Sequence, residues 1–394
     1  MIIDISHELF RRIVNDDKLF LPFSWDGLNF EKTLKEKLEY YLSLLKYVRD
    51  NPQIDNSSKL LSFDLDKVES VTQFLIESVN HYLSGFPHSA FDAFTKAMRI
   101  LEANPLKVYN KSVLEHFKHH RYNDPLSLYR VVKVDDNKPY PRSRVFHTPY
   151  TLRSKVSTSR YSIAGFPSLY LGTSLELCCE EINVKINNSF ALASLFKIDR
   201  SINDSNTYIK VIELGIKPQD FLGTSIDDNR DKERYRHIKN QLSHNSGIKS
   251  SYLLWYPLIA ACSFIRCNKS DPFAPEYIIP QLLMQWVRYE ASLYPNRNKG
   301  KDRLIGIRYF SCASVKASEM GFNYVFPTSG KQLSDTFPFC SVLSKAFYIS
   351  NPVFLHEYDN VNRCENVLFH LGYSDKLKKV DFIPGSNEER QGSD

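Results

Sequence analysis

The chain has 394 residues, a formal net charge of +6, 42% hydrophobic and 24% charged residues, which gives it length for two domains and a well-buried core. Ordinary composition of this kind excludes a fibrous or wholly disordered chain. The mild positive charge suits an anionic ligand such as a dinucleotide without demanding nucleic acid.

The opening MIIDISHELFRRIV carries Asp4, His7 and Glu8 where a signal peptide needs an apolar centre. No run of about 18 apolar residues follows, so a cytoplasmic protein without a membrane span is expected. Residues 1–125 read as a helical domain. EKTLKEKLEYYLSLLKYVRD places Leu34, Leu38, Tyr41, Leu42, Leu45 and Val48 at helical spacing and stops before Asn51-Pro52. DLDKVESVTQFLIESVNHYL repeats the pattern with Val68, Val71, Leu75, Val79 and Tyr82, and SAFDAFTKAMRIL supplies Ala90, Phe94, Met98 and Leu101. KSVLEHFKHHRYNDP predicts a short fourth element closing the domain.

From Leu128 onward the period changes. Strand-like runs are SLYRVVKV, SLYLG, FALASLFKI, YIKVIEL, YLLWYPLIAACSFI, IGIRYF and NYVFP. Asp227–Ser246 reads as an exposed helix and loop, and residues 386–394 as a disordered tail. The fold class is therefore α+β: a helical domain over 1–125, then a mixed domain over 126–385. The seven cysteines, Cys178, Cys179, Cys262, Cys267, Cys312, Cys340 and Cys364, show no short paired spacing of a zinc site. No metal is expected, and the odd number fits a reducing compartment.

The chemistry concentrates in SRYSIAGFPSLYLGTSLELCCEEINVK, where Arg160, Tyr170 and Glu181 are spaced ten and eleven apart. Gly165 and Pro167 break the chain, SLYL forms a short strand, and Gly172 turns it. Thr173 and Glu176 have the spacing of a capping box that opens a helix. On that helix the apolar stripe is Leu175, Cys178, Cys179 and Ile182. Glu181 lies roughly 110° from its centre and Glu180 roughly 150°, so Glu181 is the carboxylate nearer the buried edge. A basic residue before a strand tyrosine, with a carboxylate after it, can converge on one cleft. Arg160 can grip a pyrophosphate with paired hydrogen bonds. Arg130, inside an apolar strand, needs an anionic partner or a route to solvent. Taken singly, each of these residues also has an ordinary surface or core reading.

This stretch resembles the RES domain, a group of bacterial NAD-degrading toxins with an ADP-ribosyltransferase-like fold. That family runs Gly-Arg-Trp, a Gly-Pro turn, an apolar strand ending in Tyr, and a helix carrying Glu. The matching residues are Ser159-Arg160-Tyr161, Gly165 to Pro167, Leu169-Tyr170 and Glu181. Ser159 replaces the glycine and Tyr161 the tryptophan. LYRVVK places Arg130 on the first strand, EYIIPQLLMQWVR resembles the family's Pro-Gln helix with Gln281, and DRLIGIRYFS makes Ser311 the third signature residue. The likeness covers about residues 126–345, and His147 before the motif is a candidate pocket residue.

The resemblance implies NAD as substrate, cleaved between nicotinamide and ribose, with water or inorganic phosphate as acceptor and no metal. Glu181 would stabilise the charge developing on the ribose, Arg160 and Arg130 would hold phosphates, Tyr170 would stack on the ring, and Ser311 would orient Glu181 or the ribose. His147 and Gln281 would line the site. Such activity implies control by an antitoxin or activating partner, by an infection-triggered signal, or by homo-oligomer assembly through the helical domain over 1–125, which would then be a regulatory or assembly module. Three other readings remain open at this point. One is ADP-ribosyl transfer to a macromolecule. Another is an NAD-sensing protein that binds without turnover. The third is a ribonuclease, because the helical half is similar to HEPN-type domains, whose active members carry Arg, four to six residues, then His. Here that spacing occurs at Arg142–His147, Arg230–His237 and Arg363–His370, all outside the helical half.

Overall fold

The computed structural model describes residues 2–5, 7–50, 61–103, 127–185, 190–198, 207–222, 246–297, 302–329, 337–373 and 378–380. In chain order the elements are β1 (Ile2–Ile5), α1 (His7–Val14), α2 (Phe30–Asp50), β2 (Leu61–Asp64), α3 (Leu65–Leu83), α4 (Pro87–Ala103), β3 (Ser127–Lys133), β4 (Ser168–Gly172) and α5 (Leu175–Ile182). There follow β5 (Ala191–Ile198), β6 (Thr207–Leu214), α6 (Ser246–Ala261), α7 (Ile278–Arg297), β7 (Asp302–Tyr309), β8 (Asn323–Pro327), α8 (Ser341–Ala346), β9 (Phe347–Ile349), β10 (Val353–Phe354), α9 (Val361–Tyr373) and β11 (Lys378–Lys379). The chain is α+β, with a helical N-terminal region. The expected element at 111–125, all but the last residue of Asp227–Ser246, and the tail at 386–394 lie outside the described residues.

Two compact units divide the chain. The first joins Met1–Val108, Ile212–Val287 and Arg308–Phe322; the second joins Tyr109–Val211, Arg288–Ile307 and Asn323–Asp394. A change of periodicity near residue 125 marks where helices give way to strands. The units follow packing instead, so later segments join the N-terminal helices in one core.

In the first unit, α2 buries Phe30, Leu34, Leu38, Tyr41, Leu45 and Val48, and α3 buries Val68, Val71, Leu75 and Val79, the stripes that helical spacing predicts. One expectation is corrected here. The run YLLWYPLIAACSFI, read as a strand, forms most of α6, with Pro257 inside it. Residues 252–256 and 258–262 are all buried, so the helix is apolar on every side and shows no period. Tyrosines carry its polar connections: the hydroxyl of Tyr41 on α2 donates to the Leu253 carbonyl at 2.7 Å, and the Tyr256 hydroxyl donates to the Leu19 carbonyl at 2.9 Å.

The second unit is built on a nine-stranded sheet in the order β11-β9-β5-β3-β4-β8-β7-β6, with β10 pairing β5. The ends of β6 and β7 run on into the first unit's segments. The other six expected runs form β3, β4, β5, β6, β7 and β8. Strands β3 and β5 pair antiparallel over seven residues, and β4 and β8 over five, from Ser168↔Pro327 to Gly172↔Asn323. By contrast β3 and β4 share only the pair Tyr129↔Gly172. The sheet therefore forks between these two central strands. Below it, Leu175, Cys178 and Cys179 of α5 pack with Cys364 and Leu368 of α9 against Tyr129, Val131 and Leu195.

Candidate functional site

Arg160 and Tyr161 form the tip of a tight turn closed by reciprocal backbone bonds, Ser159 N to Ser162 O at 2.9 Å and Ser162 N to Ser159 O at 3.1 Å. Tyr161 is 1% exposed and Arg160 is 9% exposed, so the turn is seated in the protein. The same two serines fix Tyr170. Its hydroxyl lies 2.7 Å from Ser159 Oγ and 2.8 Å from Ser162 Oγ. Ser159, where the family pattern has glycine, thus contributes a bond that glycine lacks. Gly165, at φ +77°, makes the reversal from this turn into β4 in a region that favours glycine.

Tyr170 and Gly172 lie on one face of β4, because alternate strand residues do. Their partners on β8 are Val325 and Asn323. A side chain at position 172 would meet Cys178 Sγ at 2.7 Å, so glycine lets α5 close onto the strand. Ser174 caps that helix, accepting from Leu177 N at 3.2 Å. This corrects the expected Thr173–Glu176 capping box: with Ser174 as cap, Glu176 is only the second helical residue. The other support comes from α9, where Glu365 Oε1 accepts from Leu175 N at 2.6 Å. Asn183, left-handed at φ 51°, ends the helix.

Glu181 falls in the last turn of α5 and is exposed. Its Oε1 accepts from Nδ2 of Asn323, which is 5% exposed. Asn323 stands opposite Gly172, so the carboxylate is tied to the face that carries Tyr170. The helix dipole disfavours negative charge in a last turn, and α5 has no basic residue there. Glu181 therefore departs from what helix stability alone would select. Asn323 was not singled out in the sequence; it lies 142 positions from Glu181, with no local pattern to reveal it.

Arg130 stands at the fork. Tyr129 pairs with Gly172, so the next residue leaves β3 on the opposite face. Its Nη1 donates to the Tyr170 carbonyl at 3.1 Å, while Nε is buried without a hydrogen-bond partner among the described residues. Burial lowers its pKa to about 10, which leaves it cationic at neutral pH. His147 is a fully buried residue. Its Nε2 accepts from Cys340 N at 2.8 Å, so Nδ1 carries the proton and donates to the Thr148 carbonyl at 2.8 Å. Burial first, and the Arg130 charge in addition, push its pKa down to about 4. With both nitrogens engaged by backbone, His147 positions the chain around Cys340 and has no nitrogen left for a ligand. The same bonds remove it as a ribonuclease base beside Arg142, whose Nε donates to the Ile349 carbonyl at 3.1 Å.

Ser311 and Gln281 belong to the first unit. Ser311, fully buried, follows β7 and accepts from Ala313 N through Oγ at 3.1 Å, which stabilises a local turn. Gln281 is 9% exposed on α7, and its carbonyl accepts from Gln285 Nε2 at 3.3 Å. The second unit thus gathers Arg160, Tyr170, Glu181 and Asn323, with Arg130 at the fork. Among the described residues no group of three His, Cys, Asp or Glu side chains is placed to hold a metal ion, and no helix is long and apolar enough to cross a membrane.

No family model matches the chain, and no solved structure matches it. Among curated proteins it is similar to one named "Putative toxin YopC" from Bacillus subtilis (strain 168), with 28% identity over 335 residues, covering 82% of this chain and 67% of that protein. That alignment is long enough to take in most of both units.

Proposed function

We propose that this chain is a toxin that cleaves the nicotinamide–ribose bond of NAD. The observation that carries the reading is Glu181: an exposed carboxylate, at a position unfavourable to its helix, held by buried Asn323 on the face that bears Tyr170. The toxin name of the B. subtilis relative supports the biological half of the reading, and the likeness to RES domains supports the chemical half.

The reaction asks little acid catalysis of the protein. Nicotinamide is bound to ribose as a pyridinium, so when the C–N bond breaks its electron pair leaves with the ring and neutralises it. Positive charge then develops on the ribose. A carboxylate beside the ribose stabilises that charge electrostatically, as one of the two carboxylates does in glycosidases. Water or phosphate adds to the opened centre; with water, one proton is released and ADP-ribose results. Tyr170, its hydroxyl fixed by Ser159 and Ser162, offers a ring held in one orientation for stacking. Arg160 grips phosphate, and the Arg130 charge at the fork attracts the anionic substrate. An NAD-destroying chain needs restraint, so an antitoxin or an activating partner belongs to the same proposal.

The test is NAD consumption by the purified chain, with and without inorganic phosphate, beside Glu181→Gln. We expect nicotinamide release that falls about 100-fold or more in the variant, with phosphate dependence naming the acceptor. Equal NAD loss by both proteins would remove Glu181 from the chemistry. Intact NAD under every condition, including with a co-purified partner, would leave binding without turnover as the better reading.

A further inference from the structure

Helix α7 brings a second arginine, Arg288, to the N-terminal end of β4. Its guanidinium carbon lies 5.5 Å from the centre of the Phe166 ring, in the turn that follows Arg160. Nη2 donates to the Ser329 carbonyl, while Nε is buried with no hydrogen-bond partner among the described residues. Burial lowers its pKa, and the groups that oppose that effect are Cys340 and Tyr150, not a carboxylate. An arginine stays charged under these conditions. Among the described residues, then, Arg288 is a part-buried cation with no counter-charge, an arrangement that costs free energy unless an anion joins it.

Hydroxyls surround the same spot. Thr328, fully buried, has an Oγ1 with no partner at full hydrogen-bonding geometry among the described residues, although it lies close enough to the Tyr150 hydroxyl to act on it, and its amide donates to the Pro167 carbonyl at 3.3 Å. Ser329 Oγ lies 3.3 Å from the Tyr150 hydroxyl and 3.5 Å from Cys340 Sγ. A guanidinium with a spare N–H, a buried threonine hydroxyl and further hydroxyls beside them match a tetrahedral oxyanion. Phosphate accepts several bonds at once, including the paired bonds that arginine favours.

Position suggests where the phosphate comes from. Thr328 follows the Ser168↔Pro327 end of the β4–β8 ladder, and Asn323 with Glu181 occupies the Gly172 end. Four residue steps separate the two ends, roughly 13 Å at about 3.3 Å per step. An acceptor phosphate must touch the ribose carbon, which that distance does not allow, whereas the diphosphate arm of a dinucleotide extends along the strand. We propose that Arg288 and Thr328, with the hydroxyls of Ser329 and Tyr150, form a subsite for a phosphate group, and that this group is part of the dinucleotide's diphosphate. The subsite itself stands on Arg288 and Thr328; the source of the phosphate rests on the NAD-cleaving reading.

The test is calorimetric titration of the full chain carrying Glu181→Gln, which prevents turnover, with ADP-ribose, inorganic phosphate and phosphate-free nicotinamide riboside as separate ligands. Each is repeated after adding Arg288→Gln or Thr328→Val. We expect ADP-ribose binding to weaken about 10- to 100-fold with Arg288→Gln and several-fold with Thr328→Val, while the riboside is unaffected. If inorganic phosphate binds in an Arg288-dependent way and ADP-ribose does not bind at all, the subsite stands with free phosphate as its ligand and the NAD reading fails. If both phosphate ligands bind identically with and without the substitutions, in variants with parental circular dichroism, the subsite is wrong. It is equally wrong if the parent binds neither phosphate ligand. Should Arg288→Gln fail to fold, Thr328→Val decides alone.

Discussion

The His147 imidazole is held neutral by its surroundings, and that has a consequence for pH. A histidine ordinarily titrates near 6.5, and burial lowers this one to about 4. Between those values an unfolded chain takes up a proton that the folded chain refuses, so folding weakens as pH falls. The contribution is fully present above about pH 6.5, declines below it and levels off near pH 4. At about 1.4 kcal/mol per pH unit it amounts to as much as about 3 kcal/mol. Denaturant unfolding of the wild type and His147→Gln at pH 7 and pH 4.5 measures this. The glutamine does not titrate, so the wild type should lose more stability across the interval. Equal losses would mean that His147 protonates in the folded state or makes no difference to it. Glu181 is a different kind of residue. Helix stability disfavours it, because its negative charge falls in a last turn that has no basic residue.

At the scale of elements, α5 is a short helix that presents Glu181, and it depends on neighbours to hold its shape. Eight residues are too few for independent helix stability. Its first turn is tied by Ser174 and by Glu365 of α9, the second a carboxylate well placed at a helix N-terminus. Glu365→Ala should weaken folding by about 1 kcal/mol and speed amide hydrogen exchange at Leu175 to Leu177 more than elsewhere in the sheet. Unchanged exchange there would show that Ser174 and the packing of Cys178 and Cys179 suffice. The sequence disclosed much of this element: the helix and its apolar stripe both follow from spacing. It misplaced the cap by one residue, because Thr173 and Ser174 are both acceptable caps and only backbone geometry separates them. Strands β3, β4 and β8 were legible from their short apolar runs between turn residues. Helix α6 was not, because Tyr252 to Cys262 are apolar or small all round. The length of the run, greater than most strands, was the clue that outweighed its lack of period. The Asn323–Glu181 bond and the Arg288–Thr328 grouping join residues far apart in sequence, and no local rule foretells them.

The whole molecule shows the same limit on a larger scale. A helical stretch over 1–125 looks self-contained in sequence, yet the first unit is completed by Ile212–Val287 and Arg308–Phe322. Its shared interior is specific. Phe23 N donates to the Ser263 carbonyl at 2.9 Å, and Ile265 N donates back to the Phe23 carbonyl at 2.8 Å. Trp25 Nε1 donates to the buried Glu276 carboxylate at 2.8 Å, and Tyr41 packs on Tyr256 with ring centres 4.4 Å apart. From α6 alone, Tyr252, Leu253, Trp255, Tyr256, Leu258 and Ile259 are buried. At about 1.5–3 kcal/mol for each large side chain, their removal withdraws on the order of 10 kcal/mol, comparable to the entire stability of a typical domain at about 5–15 kcal/mol. A fragment of residues 1–125 should therefore lack a cooperative thermal transition and the near-ultraviolet circular dichroism of packed aromatics, while the intact chain shows both. A sharp melt and a dispersed amide spectrum from the fragment would mean that the helices settle without α6, and the N-terminal region could then act as a detachable regulatory domain. If the fragment stays unfolded, regulation by that region must work within the complete chain, since the segments that finish its core come after Glu181 in the sequence.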